Sequence, residues 1–274
     1  DRVTNDLDKF CPHATIIHVD VDPTSVSKNI NADIPVVGTC SAVLKEMLSL
    51  IEQSDTQPDA AAIKDWWTQI DQWRADKGIY TASRYEPSGG DLIKPQDVIK
   101  ALYKVTDGEA FVTSDVGQHQ MWTAQFCKTN EERKWLSSGG AGTMGYGLPS
   151  AIGAQLGCPD ELVVAVVGDG GFQMTMPELA TAAIHKLPIK ILIINNRYLG
   201  MVRQWQQLFF DNRESGVDMM GNPDFVKIGE AYGIKGFHLR RTGDITKVLQ
   251  KALDYNEGPC IIEAEVVKSD NVFP

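Results

Sequence analysis

Residues 163–174, VVAVVGDGGFQM, decide how this chain is read. An apolar run suited to a buried strand ends in glycines, as phosphate-binding strand-to-helix turns do. Asp169 sits in the middle of that turn, where a carboxylate repels a phosphate. Either the turn binds no anion, or something positive stands between the two.

The next apolar run downstream, IKILIINN at 189–196, has the same character and ends in Asn195 and Asn196. One helix, PELATAAIHKL, separates the two runs. A right-handed strand-helix-strand unit therefore brings Asp169 and the asparagines side by side. Working outward, the pattern stays regular: helix 95–106, strand 109–117, a glycine-rich loop at 139–147 and helix 149–157 come before the first run. Helix 224–233, a short strand near 236–239, helix 245–255 and strand 260–267 follow the second. Strands that are apolar throughout, alternating with amphipathic helices, predict an α/β fold: a doubly wound parallel sheet with helices on both faces. Ligands in such sheets bind at the carboxyl ends of the strands, where the glycines and polar residues fall.

The first third reads differently. Residues 15–21 and 34–39 predict two short strands, and SAVLKEMLSLIEQ predicts a helix. SDTQPDA at 54–60 is polar and turn-rich, as a linker is. The helix after it places Trp66, Ile70 and Trp73 on one face and stops at Gly78. A second linker runs from 83 to 95. Both ends of the chain read as cut from something longer.

The 274 residues carry 26 Lys and Arg against 36 Asp and Glu, a net charge of -10 with no basic run. That argues against a nucleic-acid surface, which needs clustered cations. The apolar runs are too short to cross a bilayer, and the N-terminal stretch resembles no export signal, so no membrane partner is expected. Five cysteines form no CxxC pair and no metal spacing with the five histidines. Reduced thiols in a cytosol-like compartment are expected.

A carboxylate and an amide carbonyl are hard oxygen ligands. Magnesium takes one or two of these and completes its shell with water and substrate phosphates, so it would separate Asp169 from a diphosphate. Gly168, Gly170 and Gly171 would let backbone N–H groups approach phosphate oxygens. Thr175 and Glu178 fit a capping box around Pro177, which would start the helix there. The bland alternative is a Gly-Asp turn and an Asn-rich loop with no ligand.

GDGG followed after one helix and one strand by NN resembles the thiamine diphosphate and magnesium motif. SDVGQHQMW, WLSSGGAGTMGYGLPSAIGAQLG and NNRYLGMVRQWQQLFF further resemble the large catalytic subunit of acetohydroxyacid synthases, also called acetolactate synthases. DRVT, IIHVDVDP and IPVVGT resemble the end of that family's central FAD-binding domain. The resemblance implies residues 1–55 as the C-terminal part of that α/β domain, 56–93 as a helical linker and 94–274 as the thiamine diphosphate-binding domain.

It further implies that Asp169 and Asn196 bind magnesium with the backbone carbonyl of Tyr198. Gly142 and Met144 would meet the aminopyrimidine ring, with Met144 wedging the cofactor into a bent form. Val116, Gly117, Gln118 and His119 would line the diphosphate and the intermediate, His119 from a polar loop. Gly200 and Met201 would contact the cofactor. Met201, Val202 and Trp205 would line a substrate channel, although their helical spacing equally suits a core stripe. Asp20 matches a position beside the adenosine part of FAD, while Thr39 stands where the family usually has Asp. The glutamate that activates the cofactor lies, in the family, in an N-terminal domain donated by a second subunit, and no residue here takes that role.

The activity so implied is condensation of pyruvate with a second 2-keto acid, in a homodimer or homotetramer with a small regulatory subunit possible. The compartment would be the cytoplasm, or a plastid or mitochondrion in a eukaryote. Because the family's cofactor lies between two chains, the surface around Gly142, Met144 and His119 is expected to be an interface or an exposed apolar cleft. Two other readings stay open: another thiamine diphosphate enzyme, such as a pyruvate oxidase or glyoxylate carboligase, and a cofactor-binding module inactive by itself.

Overall fold

The computed structural model describes residues 4, 6–77, 90–129 and 134–273. The chain divides into two compact units, Asp1–Tyr80 and Thr81–Pro274. Gly78, most of the 83–95 linker and the first three residues lie outside the described residues.

In the first unit, β1 (Ile17–Asp20) and β2 (Ile34–Val37) pair in parallel, from Ile17 opposite Ile34 to Asp20 opposite Val37. Helix α1 (Cys40–Gln53) follows, its first turn capped by the Thr39 hydroxyl, which accepts the Ala42 N–H. Helix α2 (Ala60–Lys77) carries Trp66 and Trp73 seven residues apart, and their rings meet edge to face at 5.4 Å. That contact is the expected use of helical spacing.

The second unit begins with α3 (Pro95–Thr106), β3 (Phe111–Ser114), α4 (Gln118–Phe126), β4 (Trp135–Ser137), α5 (Gly147–Gly157) and β5 (Val163–Gly168). It continues with α6 (Asp169–Thr175), α7 (Leu179–Ile184), β6 (Lys190–Asn195), α8 (Gly200–Phe209), α9 (Phe225–Ala231), β7 (Lys235–Leu239), α10 (Ile245–Leu253) and β8 (Cys260–Glu265). The six strands β3 to β8 form one parallel sheet in the order β4-β3-β5-β6-β8-β7. β5 and β6 are neighbours, with Gly168 opposite Ile194, as the crossover argument requires.

Every residue of β5 and β6 is buried, because both faces of the sheet are covered. Val164, Val166, Leu192 and Ile194 point into one core with Val98, Ile99 and Leu102 of α3, Trp122 of α4, and Ile245 and Leu249 of α10. Val163, Ala165, Val167, Ile191 and Ile193 point into the other with Leu148 of α5, Phe172 of α6, Leu179 of α7 and Phe225 of α9. Alternate residues of one strand thus feed opposite cores, and full burial of each Val or Ile contributes about 1.5–3 kcal/mol. The doubly wound α/β fold is present.

Three local expectations need correction. The helix after β5 begins at Asp169, eight residues before Pro177, so GDGG is its first turn. Thr175 and Glu178 make no capping box; the Thr175 hydroxyl donates to the Gly145 carbonyl, tying the glycine loop to α6. His119 lies in the first turn of α4 and is buried, not in a polar loop. The short edge strand β4 had no signal of its own, since three residues give no readable period.

Candidate functional site

The carboxyl ends of β3, β5 and β6 open into a cleft of about 450 Å³, its mouth included. The β3 end and α4 supply Val116, Gly117, Gln118, His119 and Trp122, and the glycine loop supplies Met144. Gly168, Asp169, Gly170 and Gly171 come from the junction of β5 with α6, and Ile194, Asn196, Tyr198, Leu199, Gly200, Met201 and Val202 from β6 and its continuation. Residues that the sequence scatters over 87 positions therefore share one wall or another of a single pocket. Gly142, with φ of 65°, and Trp205 do not line it. Trp205 is 57% exposed on α8, which excludes the core-stripe reading for that residue. Asp20 belongs to the first unit, where its Oδ1 accepts the Asp22 N–H.

Asp169 is 2% exposed. Burial pushes its carboxyl up to about 6, against the hydrogen bonds from Asn222 and from main-chain N–H groups that favour the ionised form. No charged side chain among the described residues offsets that burial. Asn196 accepts the Tyr198 N–H on Oδ1 at 3.0 Å, and its Nδ2 reaches Gln118 Oε1 at 3.4 Å. Arg197 between them has φ of 58°, the tight turn that brings Tyr198 to the cleft wall. The donor set is all hard oxygen, around a buried carboxylate without a counter-charge. That fits a small divalent cation which keeps further positions for water and phosphate oxygens.

The glycines are explained by close approach. A Cβ on Gly171 would lie 2.3 Å from Asp115 Oδ2, and one on Gly168 would lie 2.8 Å from the His119 ring. Only glycine lets α6 start against both. Burial holds the His119 imidazole at about 4, so it is neutral at pH 7, and its Nε2 has no hydrogen-bond partner among the described residues. Trp122 Nε1, also on the cleft wall, has none either.

Trp122, Ile194 and Leu199 line the cleft without having been singled out in the sequence, and two residues that hold its wall escaped that reading as well. Asp115 is fully buried, and its carboxylate accepts the N–H of Val116 at 2.6 Å and of Gly145 at 2.9 Å. Asn222 donates to Asp169 Oδ2 at 2.6 Å. Asp115 directly follows β3, but nothing local marks its bond to Gly145, 30 residues away; Asn222 lies in no such pattern, and Asp169 is 53 residues away.

Among the described residues no helix is long and apolar enough to cross a membrane. Over its whole length the chain is 45% identical to the acetolactate synthase isozyme 3 large subunit of Escherichia coli strain K12, of which it covers 47%. It is 42% identical to the acetolactate synthase large subunit of Haemophilus influenzae, again covering 47%, and 44% identical to that of Pyropia yezoensis, covering 45%. The chain thus spans about half the length of the curated relatives it matches. Residues 1–47 match the central domain of thiamine pyrophosphate enzymes. Residues 115–264, which contain every lining residue of the cleft and more than half of the chain, match the C-terminal thiamine pyrophosphate-binding domain, so the chain belongs to the thiamine pyrophosphate enzymes.

Proposed function

We propose that the cleft holds thiamine diphosphate through magnesium, and that the whole protein condenses pyruvate with a second 2-keto acid to acetolactate or acetohydroxybutyrate. The observation that carries this reading is Asp169, buried without a counter-charge beside Asn196 at the ends of adjacent strands β5 and β6. Similarity to acetolactate synthase large subunits over the full chain supports the choice of reaction.

In this reading Asp169, Asn196 and the Tyr198 carbonyl ligate magnesium, and the Gly170 and Gly171 N–H groups face the diphosphate. When bound, thiamine diphosphate supplies the carbon nucleophile and the electron sink that decarboxylation of a 2-keto acid needs. Gly142 and Met144 support the aminopyrimidine side. Val116, Gly117 and Gln118 line the diphosphate, and Gly200 and Met201 close the cofactor from α8. Neutral His119 offers a hydrogen bond without adding charge beside the anion. Residues 94–274 would form the cofactor domain, 1–55 the end of a central domain able to hold FAD in the whole protein with Asp20 at its adenosine end, and 56–93 the link. The assembly would be a homodimer or homotetramer serving branched-chain amino-acid synthesis, with a regulatory subunit as a possible partner, in the cytoplasm or an organelle.

Calorimetry tests the cofactor reading: thiamine diphosphate should bind with magnesium present and not after chelation. Product analysis from pyruvate with and without 2-ketobutyrate tests the reaction. Trp205 and Val202 are exposed on α8, beside the cleft-lining Met201, where an acceptor would pass. Trp205→Leu in the full-length enzyme should leave pyruvate decarboxylation nearly unchanged. It should shift products about tenfold toward acetolactate, because one methylene in an apolar pocket is worth roughly 1–3 kcal/mol. An unchanged product ratio would remove Trp205 from acceptor selection.

A further inference from the structure

Asp169 is held by a residue from outside both metal motifs. The segment 217–222 folds back on the loop after β6: Leu199 N–H donates to the Val217 carbonyl and Met219 N–H to the Arg197 carbonyl, both at 2.9 Å. This places Asn222 Nδ2 2.6 Å from Asp169 Oδ2 and 3.3 Å from Asn195 Oδ1, while its Oδ1 accepts from Gln173 Nε2 at 2.9 Å.

The direction of every bond in this chain is determined by groups with no choice of role. Gln173 Nε2 also donates to the Asp169 main-chain carbonyl at 3.2 Å, and a carbonyl can only accept. The Gln173 amide nitrogen therefore faces Asn222, which must present its oxygen to Gln173 and its nitrogen to the carboxylate. On the other side, the Arg197 N–H donates to Asn195 Oδ1 at 3.2 Å, so Asn195 also turns its oxygen toward Asn222. Asn195 Nδ2 then donates to Glu263 Oε1 at 2.8 Å, in the buried interior of the sheet end. Asn222 is thus an oriented N–H donor aimed at one oxygen of Asp169.

We propose that Asn222 is a positioning residue for the cation of this cleft. With Oδ2 held by this bond, the carboxylate would offer its other oxygen to the cation. This assignment rests on the cation reading proposed above. A donor of this kind, one bond removed from the metal, typically changes affinity about 10–100-fold when lost.

The test is a titration of the full-length protein with Mn²⁺ in place of Mg²⁺, followed by electron paramagnetic resonance of free Mn²⁺, for wild type, Asn222→Ala and Asn222→Leu. Leu keeps the volume and excludes water, whereas Ala leaves room for a water to replace the donor. The expected result is a weakening of about 10-fold for Ala and about 100-fold for Leu. The metal concentration for half-maximal turnover should rise in parallel, while the rate at saturating metal stays within about threefold of wild type, a split that loss of folded protein does not produce. Either variant that folds and binds Mn²⁺ within threefold of wild type overturns the assignment. If wild type itself binds no Mn²⁺, the cation reading fails and this assignment with it; if wild type binds and the variants match it, only the role of Asn222 fails.

Discussion

Asp169→Ala in the full-length protein is expected to abolish magnesium-dependent binding of thiamine diphosphate, a loss beyond the roughly 10–100-fold that a supporting residue gives. The carboxylate is the only charged oxygen in the proposed donor set, and it lies on the first turn of α6 with its side chain in the cleft. Asp169→Asn separates the charge from the shape. The folded pKa of Asp169 is raised to about 6 from an ordinary value near 3.8. Its contribution to stability is therefore fully present below about pH 4 and is lost as the pH rises through 6, where the buried carboxylate ionises without a counter-charge. In the metal-free protein Asn should accordingly add up to about 2–3 kcal/mol at pH 7.5 and nothing at pH 4. The wild type should bind magnesium about tenfold more weakly for each pH unit below 6, since the ion requires the ionised form. Isothermal calorimetry and urea unfolding at the two pH values check these. Unchanged cofactor affinity in the Ala variant would defeat the motif reading.

The second large effect is expected at Asp115. Its carboxylate sits at the meeting of three segments: the β3 end, the loop that carries Met144, and the start of α6, where Gly171 leaves room for it. Burial raises its pKa, and the N–H groups of Val116, Gly145, Tyr146 and Gly147 oppose that rise. Asp115→Ala leaves those buried donors unpaired. At about 1–3 kcal/mol for each donor that finds no water, the loss of stability should reach about 3–5 kcal/mol. Asp115→Asn retains one acceptor oxygen and should cost less. Denaturant unfolding gives the energies, and faster hydrogen exchange at Gly145 and Gly147 shows that the glycine loop has been released. A cost under 1 kcal/mol for Ala would mean that the Thr113 hydroxyl, which donates to the Gly147 carbonyl, and the Thr175 hydroxyl on Gly145 hold the loop without Asp115.

Local pattern alone revealed the strands β5 and β6, their parallel pairing and the placing of Asp169 beside Asn196. β5 is apolar throughout and β6 carries polar residues only at its two ends, Lys190 and Asn195, and chirality leaves one way to connect them. The resemblance added Val116, Gly117, Gln118, His119, Met144, Gly200, Met201 and Val202, all of which line the cleft. Only the tertiary structure decided what fixes these groups in place. Thr175 looked like a helix cap because its spacing to Glu178 is a local signal, yet its hydroxyl is taken by Gly145, 30 residues earlier. His119 looked like a loop residue because QHQMW has no helical stripe, yet tertiary packing buries its side of α4 against Gly168. Asp115 and Asn222 bond to loops brought to them by the strand order, and a polar residue whose partner lies 30 or 53 positions away leaves no period in the sequence. The chain's own order thus determined which chemistry lies at the carboxyl ends of the strands; the packing of the sheet determined which oxygens are buried and which are satisfied.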